Sequence, residues 1–183
     1  VIKKYLSRMN QNLKYQKIWK GVSYTNKPKG IMPGDKLINP SKFSLLNSKE
    51  ELCYHYKEVD DIKVQFECKI IRKTKSMEIM IYLINQNNIT VMIIRDNSRD
   101  NDQLIHPGYY RFKTIIPKNL LAEGTYQIDL LVAENNAIHI RESDVVSFQV
   151  EDTYDINGSR GAFPVKWPEV AIKPLFNWEK ENV

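Results

Sequence analysis

Adjacent carboxylates, Asp60-Asp61, are the first residues of this chain whose type could do chemistry. A glycosidase needs two carboxyl groups facing one bond, whereas neighbours on a strand point to opposite faces, so the pair reads as a turn or a weak calcium ligand. His55, His106 and His139 show no H-x-x-x-H or metal-triad spacing, so no metal site is expected. Cys53 and Cys68 form no C-x-x-C and are too few for a disulfide scaffold; they read as reduced, structural cysteines. The seven glycines are scattered and build no G-x-x-x-x-G-K-S/T loop, so no nucleotide phosphate is cradled here. No G-x-S-x-G elbow presents a nucleophile. An enzyme therefore has little support, no cofactor is expected, and the remaining polar residues are more naturally read as binding groups.

Those residues must be held by strands. Ile is present 21 times and Val 12 times against five Ala, a bias toward pleated surfaces. From Ile62 to Ile70 apolar and polar residues alternate for nine positions: Ile62, Val64, Phe66, Cys68 and Ile70 face one way, Lys63, Gln65, Glu67 and Lys69 the other. Glu78–Asn85 and Ile89–Arg95 flank Gln86-Asn87-Asn88, and Thr125–Ala133 and Ile138–Val150 flank Glu134-Asn135-Asn136-Ala137, two hairpins with Asn-rich turns. Tyr109–Ile116 is a further strand, ended by Pro117. Short strands without long helices between them imply an all-β, immunoglobulin-like antiparallel β-sandwich. Leu121 to Tyr126 resembles a tyrosine corner, in which the Tyr hydroxyl bonds back to upstream backbone.

The two ends differ from this pattern. Val1, Tyr5, Leu6, Met9 and Leu13 recur at helical spacing and predict a short N-terminal helix, followed by a loop-like Gly21–Pro40 with three Gly and three Pro. After Asp152 comes a tail carrying Phe163, Pro164, Trp167, Pro168, Pro174, Phe176 and Trp178, whose aromatics need burial on this sandwich or on another copy. Residues 1–36 read as helix and linker, 37–152 as the sandwich and 153–183 as the tail.

Of 183 residues, 42% are hydrophobic and 27% charged, a folded composition of about one domain. The longest apolar run, Ile79–Ile84, is far short of the ~20 residues of a membrane helix. Val1-Ile2-Lys3-Lys4 has no apolar signal region, and the chain reads as part of a longer one. The net charge of +5 is spread along the chain, with only four cations in the densest stretch, Lys69–Lys75, so a solvated surface is preferred over nucleic-acid binding.

The run His106-Pro107-Gly108-Tyr109-Tyr110, then Ile116 to Leu121, Gly124-Thr125-Tyr126, Phe148 to Asp152, and the ending Arg160-Gly161, Trp167-Pro168, Pro174 and Trp178 together resemble one family. It is the carboxy-terminal domain of the ATP-binding subunit of polysaccharide ABC exporters of the O-antigen type. Val1 to Leu6 resembles the segment leaving the ATPase domain, and Ile18-Trp19 with Met32-Pro33-Gly34 its first linker motif. The chain departs from the family in the spacer Ala162 to Lys166 and in the loop Asn97–Leu104, both of which bear on ligand fit. The resemblance implies a non-catalytic carbohydrate-binding domain that reads the non-reducing end of the finished glycan on the inner face of the bacterial inner membrane. It also implies a homodimer with the C-terminal strand exchanged, an ATPase domain in the same subunit and transmembrane exporter partners. The alternative is a dimerisation or docking module without sugar recognition.

A sugar needs planar polar side chains and an aromatic face. If Tyr126, Ile128, Leu130 and Val132 point inward, Gln127, Asp129 and Leu131 point outward; likewise Tyr82 and Gln149 on their strands. Tyr82, Gln127, Asp129, Arg141 and Gln149 are therefore the candidate carbohydrate-binding residues, with Arg141 able to reach an anionic cap such as a phosphate.

Overall fold

The computed structural model describes residues 13–20, 32–96, 104–154, 161, 163, 170–175 and 180–181. Every regular element within them is a strand: β1 (Gln16–Ile18), β2 (Met32–Pro33), β3 (Ile38–Leu46), β4 (His55–Lys57), β5 (Ile62–Ile70), β6 (Met77–Asn85), β7 (Thr90–Arg95), β8 (Gly108–Ile116), β9 (Gly124–Glu134) and β10 (Ala137–Glu151). One sheet has the order β1-β3-β5-β8. The other runs β2-β10-β9-β6-β7, with β4 beside the far end of β10. The expected sandwich is present. The expected N-terminal helix lies outside the described residues except for Leu13, which is not helical.

Alternation built this fold. The inward set of β5 (Ile62, Val64, Phe66, Cys68, Ile70) is buried and meets Ile79, Ile81 and Leu83 of β6, Ile128, Leu130 and Val132 of β9, and Val146, Phe148 and Val150 of β10. Each such side chain contributes roughly 1.5–3 kcal/mol by leaving water. Cys68 sits in this core and burial pushes its thiol up to about 12, which makes it inert. The β9–β10 hairpin turns at Asn135 and Asn136, both left-handed (φ 49° and 69°), the two-residue turn whose twist suits paired strands. In the β6–β7 turn, Asn85 Oδ1 accepts from the N–H groups of Asn87 and Ile89, each at 3.0 Å.

Two expectations are corrected. The sheets are not purely antiparallel: β4 runs parallel to the end of β10, pairing His55, Tyr56 and Lys57 with Gln149, Val150 and Glu151. β4 is three residues long and reached by a crossing from the opposite sheet, so no hairpin forces it to reverse. The loop-like stretch also ends before Pro40, because β3 starts at Ile38. Pro40 is tolerated there because it lies at a β-bulge and β1 pairs only with Lys42, Phe43 and Ser44, so no strand requires the missing N–H.

Described segments near both ends pack on the sandwich. Trp19, just after β1, packs edge-on against Phe66 at 6.4 Å and donates from Nε1 to Glu142 at 2.6 Å. The tyrosine corner is real: Tyr126 Oη lies 2.8 Å from the Ala122 carbonyl and 2.9 Å from that of Ala171, and burial pushes its pKa up to about 12. Of the tail, residues 171–173 dock at this corner. Lys173 donates its N–H to Leu120 at 2.7 Å, and its buried ammonium contacts Glu58 and, at 3.3 Å, Asp152. Trp167 and Trp178 lie outside the described residues.

Candidate functional site

All five sequence-designated residues share one surface, the outer face of the six-stranded sheet. Tyr82 on β6 stands opposite Asp129 on β9 and Ile93 on β7. Gln127 lies between Ile84 and Ser147, and Gln149 between Thr125 and His55. Arg141, at the near end of β10, is opposite Leu131, which is opposite Met80. The surface is therefore a row of planar polar groups interrupted by one phenol and by Met80, Leu131 and Ile93. Such a mixture suits hydroxyls and weakly apolar C–H faces together.

A β-bulge organises its centre. Between Glu142 and Val146 the register of β10 against β9 slips, Asp144 turns left-handed (φ 51°), and its N–H donates to Asp129 Oδ1 at 2.9 Å. Bulges re-aim side chains in this way. Glu142, opposite the inward Leu130, lies on the other side of the sheet, where it accepts from Trp19 and pairs with Lys17. The face is close to electrically balanced: Arg95, Arg141 and Lys57 stand against Glu78, Asp129 and Glu151, with Arg95 and Glu78 paired at 3.1 Å.

Sequence reasoning missed a second surface. On the outer face of the four-stranded sheet a cleft of about 420 Å³ is lined by Leu46, Glu50, Lys63, Gln65, Lys113 and Ile115. The outward positions of β5 and β8 meet there, Lys63 opposite Ile115 and Gln65 opposite Lys113. Lys63 and Lys113 both approach the Glu50 carboxylate, at 2.5 and 3.9 Å. The Lys63 hydrogen bond, with the charges of Lys63, Lys113 and Arg111, holds Glu50 below the usual carboxylate range. Alternation had already marked Lys63 and Gln65 as outward. The missing information was which strand lies beside them.

A third cluster pins the linker. His139 Nδ1 lies 2.6 Å from Asp35 Oδ2, and His139 Nε2 is 3.9 Å from Glu134. Glu134 also accepts from Thr74 at 2.5 Å and pairs with Arg72. Burial alone would raise both carboxyls. Hydrogen bonds from Leu37 N–H and His139 hold Asp35 below its ordinary value, and those from Arg72 and Thr74 do the same for Glu134. Asp60 and Asp61 are turn residues, accepting from the backbone of Lys57 and Lys118 at 2.9 Å each. No group of three metal-ligating side chains occurs among the described residues. The described residues hold no helix long and apolar enough to cross a membrane.

Two stacked sheets, a tyrosine corner and a polar outer face define a β-sandwich. Among solved structures the chain is similar to one described as the C-terminal domain of Wzt, with a TM-score of 0.60 at 11% identity, covering 87% of this chain and 95% of that one. At that identity the likeness shows the fold. No family model and no curated protein matches the sequence.

Proposed function

We propose that this chain is the non-catalytic carbohydrate-binding domain of the ATP-binding subunit of a polysaccharide exporter of the O-antigen type. It reads the non-reducing end of the glycan with the outer face of its six-stranded sheet. The observation that carries the reading is the grouping of Tyr82, Gln127, Asp129, Arg141 and Gln149 on that one face, on a fold similar to the Wzt C-terminal domain. The phenol of Tyr82 takes the ring face, Gln127, Asp129 and Gln149 take hydroxyls, and Arg141 takes an anionic cap. The domain works at the inner face of the bacterial inner membrane, beside an ATPase domain in the same subunit and transmembrane partners. The C-terminal strand supplies a homodimer contact, because the pairing of Ile172 with Leu121 is one that a partner's tail can make as well as the chain's own.

Calorimetric titration with the producing strain's O-polysaccharide, intact and lacking its terminal residue, tests this. Binding of the intact form alone, weakened about tenfold by Tyr82→Ala, is the expected result; a tenfold loss is about 1.4 kcal/mol. Equal binding of both forms overturns reading of the end. Binding of neither, with a stable dimer in solution, leaves a docking module.

A further inference from the structure

We infer that the cleft on the four-stranded sheet is a second site, a seat for an anionic sugar unit carrying a carboxylate or a phosphate. Naming a sugar as the carrier rests on the reading above, but the anion seat does not. Five cations, Lys42, Lys63, Lys69, Arg111 and Lys113, project from the three adjacent strands β3, β5 and β8. Against them stand Glu67, bonded to Gln65 at 2.7 Å and Arg111 at 3.1 Å, and Glu50, on the rim of the cleft.

The chain itself shows what the seat takes. A carboxylate, that of Glu50, already lies between Lys63 and Lys113. Glu50 belongs to the exposed turn after β3, is 53% exposed at its side chain and has a left-handed backbone (φ 63°). It is a solvent-accessible internal occupant, bonded to Lys63 at 2.5 Å, with which an external anion competes. Below the lysines the wall is aliphatic, with buried Leu46 and half-exposed Ile115, and the Gln65 amide lies beside them. Ammonium groups over an aliphatic floor suit a ring with C–H faces and one negative substituent. The volume of about 420 Å³ falls in the ~300–1,000 Å³ range of small-molecule sites. A nucleic acid fits less well, because single-stranded binding needs several stacking platforms. Tyr109, under the Lys69 ammonium at 5.3 Å, is the one aromatic side chain that β3, β5 and β8 present on this face.

The test uses this chain, titrated at low and high salt with oligogalacturonate, mannose 6-phosphate and neutral maltotriose, followed by backbone amide NMR. The expected result is that at least one anionic probe shifts the amides of β5 and β8 and maltotriose does not. Whichever probe binds more tightly identifies carboxylate or phosphate as the substituent. Lys63→Gln and Lys113→Gln should each weaken binding at least threefold. Glu50→Gln should strengthen it about threefold by removing the internal competitor, an outcome that a merely structural Glu50 would not give. The inference is overturned if neither anion shifts these amides, if the lysine variants bind as well as the parent, if Glu50→Gln weakens binding, or if a single-stranded oligonucleotide binds as tightly and loses affinity in the same variants. Tyr82→Ala should leave this binding unchanged, so failure of end-reading on the opposite face is separately visible.

Discussion

The two outer faces of the sandwich are made of the same pleated backbone and share one core, yet they offer opposite chemistry. The six-stranded face balances its charges and carries Tyr82, Met80, Leu131 and Ile93 among amides and Asp129. The four-stranded face sets five cations against Glu50 and Glu67 and leaves Tyr109 80% exposed. Alternate positions on each strand decide this while the inward positions stay apolar on both sheets. A net charge that looks diffuse along the sequence becomes localised once β5 and β8 are neighbours, because Lys63, Lys69, Arg111 and Lys113 then share one face. One face is therefore suited to reading shape and hydroxyls, and the other to charge.

The largest perturbation removes both faces together. Phe66 is 1% exposed and touches Phe43, Phe112 and Trp19, so it ties β5 to its neighbours and to the segment after β1. Phe66→Ala should cost about 3–5 kcal/mol in denaturant unfolding. Loss of less than ~1 kcal/mol would mean that the two sheets do not depend on a common core.

Next in size is the buried ammonium. Lys173 is 3% exposed at its side chain and stands between Glu58 and Asp152, themselves at 0% and 3%. Lys173→Met leaves two buried carboxylates without their cation and should cost about 3 kcal/mol. Adding Glu58→Gln should recover part of it. Because this cluster lies at the end of the sandwich rather than on a face, glycan affinity of the folded fraction should not change. A change there would mean that the tail shapes one of the faces.

What could be read in advance follows from the range of the signal. The strand β5 was legible because nine alternating residues specify a face with no knowledge of partners. Tyr82, Gln127, Asp129 and Gln149 were placed on the outer surface by the same period-two argument, and the structure puts them, with Arg141, on one sheet. The tyrosine corner was legible because its contact, Tyr126 to Ala122, spans four residues. The rest depended on long-range pairing. β1 and β4 are three residues each, too short for a period, and are recruited by the exposed edges of β3 and β10. The Lys63–Glu50–Lys113 cleft needed the β5–β8 register, which no local pattern encodes. The Asp144 bulge that orients Asp129 left no local mark beyond a polar run, Arg141 to Asp144.

A smaller effect separates the linker from both faces. Asp35 and Glu134 have folded pKa values below their unfolded ones, so the stability they supply is complete above the unfolded values of about 4 and is lost as pH falls through the lower, folded ones. Thermal stability should therefore drop on acidification below about pH 4, and Arg72→Gln, costing roughly 1 kcal/mol at neutral pH, should reduce that drop. An unchanged acid response in Arg72→Gln would mean that other carboxylates control it.

The smallest expected effects are those of the face residues on stability, and they make binding results interpretable. Tyr82→Phe keeps the ring and removes a hydroxyl whose recorded contact is the Met80 sulfur at 3.9 Å. Asp129→Asn keeps an oxygen to accept the Asp144 N–H. Lys63→Gln and Lys113→Gln remove exposed or half-exposed charges from one anion that retains the other lysine. Each should shift unfolding free energy by less than about 0.5 kcal/mol, because exposed pairs and surface groups contribute little. Asp129→Asn costing more than ~1 kcal/mol would show that its carboxylate charge secures the bulge, and Asp129 would then be a structural residue of the six-stranded face rather than one available to a ligand. The same excess at Lys63 would mark the basic cleft as part of the fold's own ion pairing, with Glu50 a fixed partner instead of a displaceable one.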